Sequence, residues 1–243
     1  VVATGNQAIG GNAVIDGGGA YGGALMVQSG LQPGSIVLRD ADLSDNLSIG
    51  GEGQNGGDAK GGAMETSNAD ATLERVRAVH NLVRGGNGAP GGWRGGGGGG
   101  GFDFGGNASV SVSNSIIADN VVASAQTGAD PGGGGGGLWL YGVDAEIVHN
   151  TIARNRLESA SNQGQAVVLL QSASATFSFN IIEGHTSQSA VAAVHVQVGN
   201  YAALHRTLWA NNSADTNAGQ PGAGTIINSN PLYTSSARSV SYT

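Results

Sequence analysis

A motif of about a dozen residues recurs along this chain, while the filler between its copies changes length. Asn46, Asn81, Asn120, Asn155, His185 and Asn211 each follow an aliphatic residue or alanine by three positions and another apolar residue by eight. The partners at minus three are Leu43, Ala78, Ile117, Ile152, Ile182 and Leu208. Those at minus eight are Leu38, Leu73, Val112, Ile147, Phe177 and Ala203. Successive markers stand 35, 39, 35, 30 and 26 residues apart. A unit of this size cannot bury its apolar face alone, so neighbouring copies are expected to stack as a solenoid or similar array.

Composition removes several alternatives. The chain has 45 glycines in 243 residues, well above the usual share of about 7%. Collagen is excluded, because there is no strict three-residue period and only 5 prolines occur. Disorder is excluded by the 39% of hydrophobic residues, which fall at fixed offsets from the markers. Aromatics are only 5%, so the core is expected to be narrow and built from Val, Ile, Leu and Ala. Net charge is −7, and Lys60 is the one lysine among 10 basic residues. With no basic stripe, no nucleic-acid partner is expected. There are no cysteines, which excludes disulfides and thiolate metal sites. No apolar run approaches the roughly 18 residues of a membrane span. Val1 to Asn6 resembles the tail of an earlier repeat, with Asn6 standing 40 residues before Asn46. Residues 1–243 are therefore expected to be a single repeat domain processed or excised from a longer protein.

Each copy opens with a short apolar stretch after glycines, as in Gly22-Gly23-Ala24-Leu25-Met26-Val27 and Gly137-Leu138-Trp139-Leu140. A second stretch alternates with period two, as in Ser109-Val110-Ser111-Val112 and Ala175-Thr176-Phe177-Ser178. A third leads to the marker, as in Asn150-Thr151-Ile152-Ala153-Arg154-Asn155. Such alternation, bounded by Gly, Asn and Asp, is the strand signal, and no segment sustains a helical period. Three short strands per turn with Asn at the bends predict an all-β, parallel β-helix of about six to seven turns. Equivalent residues then lie about 4.8 Å apart up the stack. Charges support the register. Placing the Asn46 turn against the Asn81 turn sets Arg39 over Glu74, Asp40 over Arg75, Asp42 over Arg77 and Asp45 over His80.

The Gly-Gly-Ala-Leu/Met openings, the Asn150–Asn155 type of turn and the late Asn230-Pro231-Leu232-Tyr233 resemble right-handed parallel β-helix surface and secreted proteins. These include polymorphic outer-membrane-protein-like and autotransporter-passenger-like chains, and the pectate-lyase-like (pectin lyase-like) superfamily. The resemblance covers most of the chain. It implies a right-handed solenoid and an extracellular or cell-surface location, and it specifies a fold more strongly than a function.

Length varies in one insert, between the marker turn and the next opening strand. The copies are Gly50 to Gly62, Gly85 to Gly106, Ala123 to Gly137, Leu157 to Gln165 and Thr186 to Ala190. Leaving the same corner of successive turns, they are expected to project side by side. Two readings stand for them. One is a flexible loop favoured by glycine entropy. The other packs extended inserts backbone to backbone, with Trp93, Phe102, Phe104 and Trp139 as anchors and binding residues.

A polysaccharide lyase or hydrolase would need convergent carboxylates and a base on one face. The candidates are Asp40, Asp42, Asp45, Arg75, Arg77, His80 and Asp119, with Asp42, Arg77 and His80 the catalytic alternative. The charge pairing between turns explains the same residues without chemistry. Glu52, Asp58, Lys60 and Glu65 form a second acidic patch, where calcium is the only cofactor worth naming, although no calcium-loop motif is present. His149, His185, His195 and His205 differ in their offsets from the marker, so no metal site is expected from them. Threonines share no common offset, which argues against ice binding. The sequence thus points away from an enzyme and toward a structural or adhesive surface element, a filament-forming unit stacking head to tail on itself. Asn46, Asn81, Asn120, Asn155, His185 and Asn211 are expected to form its structural turn ladder. A carbohydrate-active or carbohydrate-binding protein engaging surface glycans is the alternative.

Overall fold

A computed structural model describes residues 1–30, 34–123, 125, 128, 133–158, 164–186, 192–217 and 226–227. Asn230-Pro231-Leu232-Tyr233 and much of the three later inserts lie outside them. Among the described residues every regular element is a strand, and every strand pairing is parallel.

The strands are divided among four separate parallel sheets of five, four, six and eleven strands. The five-stranded sheet follows the markers: Gln7–Ile9, Leu47–Ile49, Leu82–Arg84, Val121–Ala123 and Arg156–Leu157. The four-stranded sheet is drawn from the glycine-rich inserts: Ala20–Tyr21, Ala59–Lys60, Gly97–Gly98 and Gly133–Gly134. The six-stranded sheet collects the opening stretches: Leu25–Gln28, Met64–Ser67, Phe102–Gly105, Leu138–Tyr141, Val167–Leu170 and Val194–Val196. The eleven-stranded sheet is curled about one long strand, Ala69–Val79. Its first half pairs with Ser109–Ser113 and its second half with Ile116–Ala118.

This corrects the expected single right-handed β-helix solenoid of six to seven turns. The all-β, parallel character is present, but the strands belong to four unequal sheets, one of them curled. The physical reason is that passes of the chain contribute different strands. Among the described residues only the first four supply a strand to the glycine sheet, and the long strands Gly34–Asp42 and Ala69–Val79 run through a bend at which later passes break in two. Nor do the described glycine-rich inserts project from a corner, because they form a sheet of their own.

Two columns of left-handed residues make the bends. Asp40, Arg75, Asn114, His149, Phe179 and Arg206 all have φ between 44° and 57°. Five positions further on, Asp45, His80, Asp119, Arg154 and Gly184 also have positive φ, as does Asn211. A single left-handed residue reverses the strand's alternation, so the residue after it points inward. After the second column that inward residue is the marker. Asn6, Asn46, Asn81 and Asn120 each donate through Nδ2 to the Oδ1 of the next asparagine, at 3.0, 3.1, 2.8 and 2.9 Å. Each accepting Oδ1 also takes the backbone N–H of the residue below. From Asn46 to His185 these side chains are buried, and a buried amide is tolerated because its donors and acceptors are matched. The first bend carries a second, shorter ladder that the marker pattern does not reveal. Ser115 N–H donates to Asn150 Oδ1, and Asn150 N–H to Asn180 Oδ1, both at 2.9 Å.

Leu38, Leu73, Val112, Ile147 and Phe177 fill the main core together with Leu43, Ile117, Ile152, Phe102, Phe104 and Trp209. A small second core of Ala20, Ala59, Val83 and Val122 lies between the glycine sheet and the marker sheet. Beside it the inserts are joined backbone to backbone. Gly51 N–H donates to Gly18 O and Gly86 N–H to Gly57 O across passes, while Gly18 to Gly11, Gly57 to Gly51 and Gly95 to Gly86 tie each insert to itself, all at 2.8 to 2.9 Å. A Cβ on Gly51 or Gly86 would fall on a carbonyl oxygen of the neighbouring insert, and one on Gly10 or Gly50 on a carbonyl oxygen of its own insert. The glycines are what lets these backbones approach, which favours the packed reading of the described inserts over the flexible one.

Two outcomes test this account. Gly86→Ala, whose Cβ would fall on Gly51 O, should destabilise the fold by about 2 kcal/mol or more, whereas Gly11→Ala, with nothing within 4 Å, should be nearly neutral in urea denaturation. Amide exchange should be slow at Gly51, Gly57, Gly86 and Gly95, and uniform fast exchange there would overturn the packed lattice. Asn120→Ala removes two accepted and two donated bonds and should cost about 2–4 kcal/mol by the same measurement.

Candidate functional site

Along the outer side of the bends the charges meet as the sequence register places them. Arg39 Nε lies 3.1 Å from Glu74 Oε2, Arg75 Nε 2.7 Å from Asp40 Oδ1, and Arg77 Nη1 3.1 Å from Asp42. His80 Nδ1 is 3.6 Å from Asp45. The column then continues beyond the expected pairs. His80 Nε2 approaches Asp119 at 4.0 Å, Arg154 binds the same Asp119 at 2.7 Å, and Arg154 reaches Glu183 at 3.7 Å. The Arg75 guanidinium, hydrogen-bonded to Asp40, holds that carboxyl below its ordinary range. The pairs of Arg39, Arg75 and Arg77 are solvent-exposed and weak, whereas Asp119 and Glu183 are largely buried partners of Arg154; the larger effect of the column is to select the register.

The three residues of the catalytic alternative are not brought together as a unit. Asp42 and Arg77 bind each other, and Ser44 completes the cluster. Its Oγ donates to Asp42 Oδ1 at 2.5 Å and accepts from Arg77 Nη1 at 2.6 Å. His80 turns instead to Asp45 and Asp119. A base already held by an arginine and a hydroxyl is poorly prepared to take a proton.

The histidines go to different places. His149 packs on the Phe179 ring at 5.0 Å, with the Arg206 guanidinium 5.3 Å from the centre of that ring. His185 replaces an asparagine in the ladder. Its Nδ1 lies 3.0 Å from Asn212 Oδ1 and its Nε2 3.4 Å from Asn155 Nδ2. An amide oxygen on one side and an amide nitrogen on the other call for a neutral ring with its proton on Nδ1. Burial, with a smaller contribution from Arg154, pushes its pKa down to about 4. The next rung is Asn212, whose Oδ1 also accepts the His185 N–H at 3.0 Å. Asn211, expected in that position, is the left-handed residue just before it.

Of the aromatic candidates, Phe102 and Phe104 are fully buried, their rings stacked with centres 5.7 Å apart. Trp93 is 59% exposed and lies away from them. Trp139 borders a recess of about 170 Å³ together with Asp58, Lys60 and Gly96 to Gly98. Within the acidic patch, Asp58 accepts the Gly96 N–H at 2.8 Å, while Glu52 is bound by Asn87 Nδ2 at 2.7 Å in another recess. Among the described residues no cluster of three or more His, Cys, Asp or Glu is arranged to hold a metal ion.

Two buried carboxylates on adjacent strands of the six-stranded sheet have raised pKa values. Glu65 and Asp103 are Cα partners on adjacent strands, 6% and 2% exposed. Glu65 Oε2 and Asp103 Oδ2 have no hydrogen-bond partner among the described residues. Burial, reinforced by the charge of Glu65 and opposed by that of Lys60, raises Asp103 to about 7. Burial likewise raises Glu65, again opposed by Lys60. Asp103 was absent from the sequence candidates. Its one signal is its place between two buried phenylalanines, which in a strand puts its side chain on the opposite face.

Comparison of the chain with protein-family models, with curated proteins and with solved structures finds no match. Among the described residues no helix is long and apolar enough to cross a membrane.

His185 and Asp103 should give opposite pH dependences of stability. The folded pKa of His185 is below its unfolded value, so its contribution is present above about pH 6.5 and lost as pH falls toward 4. The folded pKa of Asp103 is above its unfolded value, so its contribution is complete below about pH 3.8 and lost as pH rises through 7. In urea titrations from pH 4 to 7.5, His185→Asn should remove the loss of stability on acidification and Asp103→Asn should steepen it. Each pKa unit corresponds to about 1.4 kcal/mol. Parallel curves for the two variants and the parent would contradict these environments.

Proposed function

We propose that the chain is a non-enzymatic structural element of an extracellular or cell-surface assembly, extended by stacking of one unit's strand edges on another's. One observation carries this reading. The first strand contributed to each sheet, namely Gln7–Ile9, Ala20–Tyr21, Leu25–Gln28 and Gly34–Asp42, has a strand partner on one side, and its other side is free of strands except where Val2 bridges Asp42. Among the described residues these strands leave backbone groups without a strand partner, a template on which another strand set adds.

Its side chains suit the role. Val2, Ile9, Val14, Ile15 and Val37 are exposed there, Val14 at 92%, and the charges of that edge are gathered at Arg39, Asp40 and Asp42. The partner best matched to four parallel edges is a second copy of this chain, and head-to-tail contact that does not close on itself extends as a filament. The extracellular or surface setting rests on the resemblance of the glycine openings to surface proteins. The charged face supports a structural role, since Asp42, Arg77 and His80 are engaged in pairing between passes rather than turned to a substrate.

Sedimentation velocity and negative-stain electron microscopy test the proposal. The protein should form concentration-dependent, end-to-end oligomers, and Ile9→Lys, at an exposed edge position, should return it to monomer without altering its unfolding midpoint. A chain that stays monomeric at high concentration, or an Ile9→Lys variant that assembles as well as the parent, would refute it.

A further inference from the structure

A second recess, of about 210 Å³, lies at the bend where the chain leaves the five-stranded sheet for the inserts. One wall is the outer face of that sheet. Ile9 is the Cα partner of Ile49, and Ile49 that of Arg84. Ser48 and Val83, one residue earlier, are buried, so strand alternation turns Ile49 and Arg84 outward. The floor is glycine. A Cβ on Gly50 or Gly85 would meet Gly57 O or Gly95 O in the packed backbone behind it, and bare main chain is left to line the recess. The other wall is the file Asn12, Glu52 and Asn87. Glu52 N–H donates to Asn12 Oδ1 at 2.8 Å, and Asn87 Nδ2 holds Glu52 Oε1 at 2.7 Å.

Arg84 and Glu52 thus border one recess with opposite charges and do not pair with each other. Arg39, Arg75, Arg77, Arg154 and Arg156 each have a carboxylate partner. The side chain of the half-buried Arg84 has neither an ion pair nor a hydrogen bond among the described residues. We propose that the recess binds a small zwitterion, an amino acid. Its carboxylate sits on the Arg84 fork, its ammonium on Glu52 and its carbon skeleton against Ile9 and Ile49. A guanidinium presents paired donors that match a carboxylate, and the Glu52 carboxylate, held in place by Asn87, accepts from an ammonium. A simple anion is opposed by Glu52, and a metal ion or organic cation by Arg84, so a ligand carrying both charges is the one that satisfies both walls. The site goes beyond the structural reading above. Arg84 and Glu52 lie outside the edge strands on which that reading rests, so either can fail without the other.

The test is a nuclear magnetic resonance titration of the full, isotope-labelled chain. Glycine, L-leucine and γ-aminobutyrate are added while the amide signals of Gly85, Gly86 and the Asn87 side chain are followed, with sodium acetate and methylammonium chloride as single-charge controls. At least one zwitterion should shift these signals saturably, and should bind about tenfold or more tightly than either control. Arg84→Gln should weaken that binding about tenfold or more while keeping the unfolding midpoint, since no ion pair is lost. Glu52→Gln, which retains an acceptor for Asn87, should weaken it from the other wall and serves should Arg84→Gln disturb the fold. Arg84→Lys, which keeps the charge and loses the planar fork, should fall between parent and Arg84→Gln. The proposal is overturned if no zwitterion saturates, if acetate or methylammonium binds as tightly as the best zwitterion, or if Arg84→Gln and Glu52→Gln both bind as the parent does.

Discussion

The side-chain amide ladder is the interaction on which the other features depend. A carboxamide carries both a donor and an acceptor, so one asparagine can bond to an identical residue below and another above without leaving a group unmatched. Asn46, Asn81 and Asn120 do this inside the fold. The ladder fixes register between passes of very different length, because a slip by one residue would bury an unpaired amide at every level. The long inserts can then vary, since the chain is brought back to the same point at each marker.

The left-handed bends give the ladder its place. A residue with positive φ before each marker turns the amide inward, and the bends that carry non-glycine residues there accept a local strain. Those residues are mostly Asp, Arg, His and Asn, whose polar ends remain outside and pair with the pass above or below. The inner amides and the outer charges are thus two consequences of one backbone geometry. His185 shows how demanding the inner position is. An imidazole can occupy it only as the neutral tautomer that donates to Asn212 and accepts from Asn155.

The glycines have a different cause. In the inserts, backbone amides bond directly to backbone carbonyls of the neighbouring pass, and a methyl group at the closest points would meet a carbonyl oxygen. Glycine here supplies nearness rather than flexibility. At Gly98 the same nearness brings the backbone against Trp139 and Asp103, and Asp103 Oδ2 and Glu65 Oε2 are among the buried polar atoms without a hydrogen-bond partner among the described residues.

From the sequence alone came the parallel, all-β stacking, the apolar rows, the charge pairs and the common position of the asparagines, because each depends on offsets within one short motif. Three things required the tertiary structure. The division into four sheets depends on whether each bend breaks a strand, which the long strand Ala69–Val79 and its interrupted successors decide differently. The choice of Asn212 over Asn211 is a one-residue matter of which side chain turns inward after a left-handed residue. The meeting of Lys60, Gly98, Asp103 and Trp139 joins two sheets whose strands lie tens of residues apart in places, and no local pattern encodes the facing of two sheets. Periodicity reports what repeats along the chain; contact between unlike sheets is decided only when the repeats are stacked.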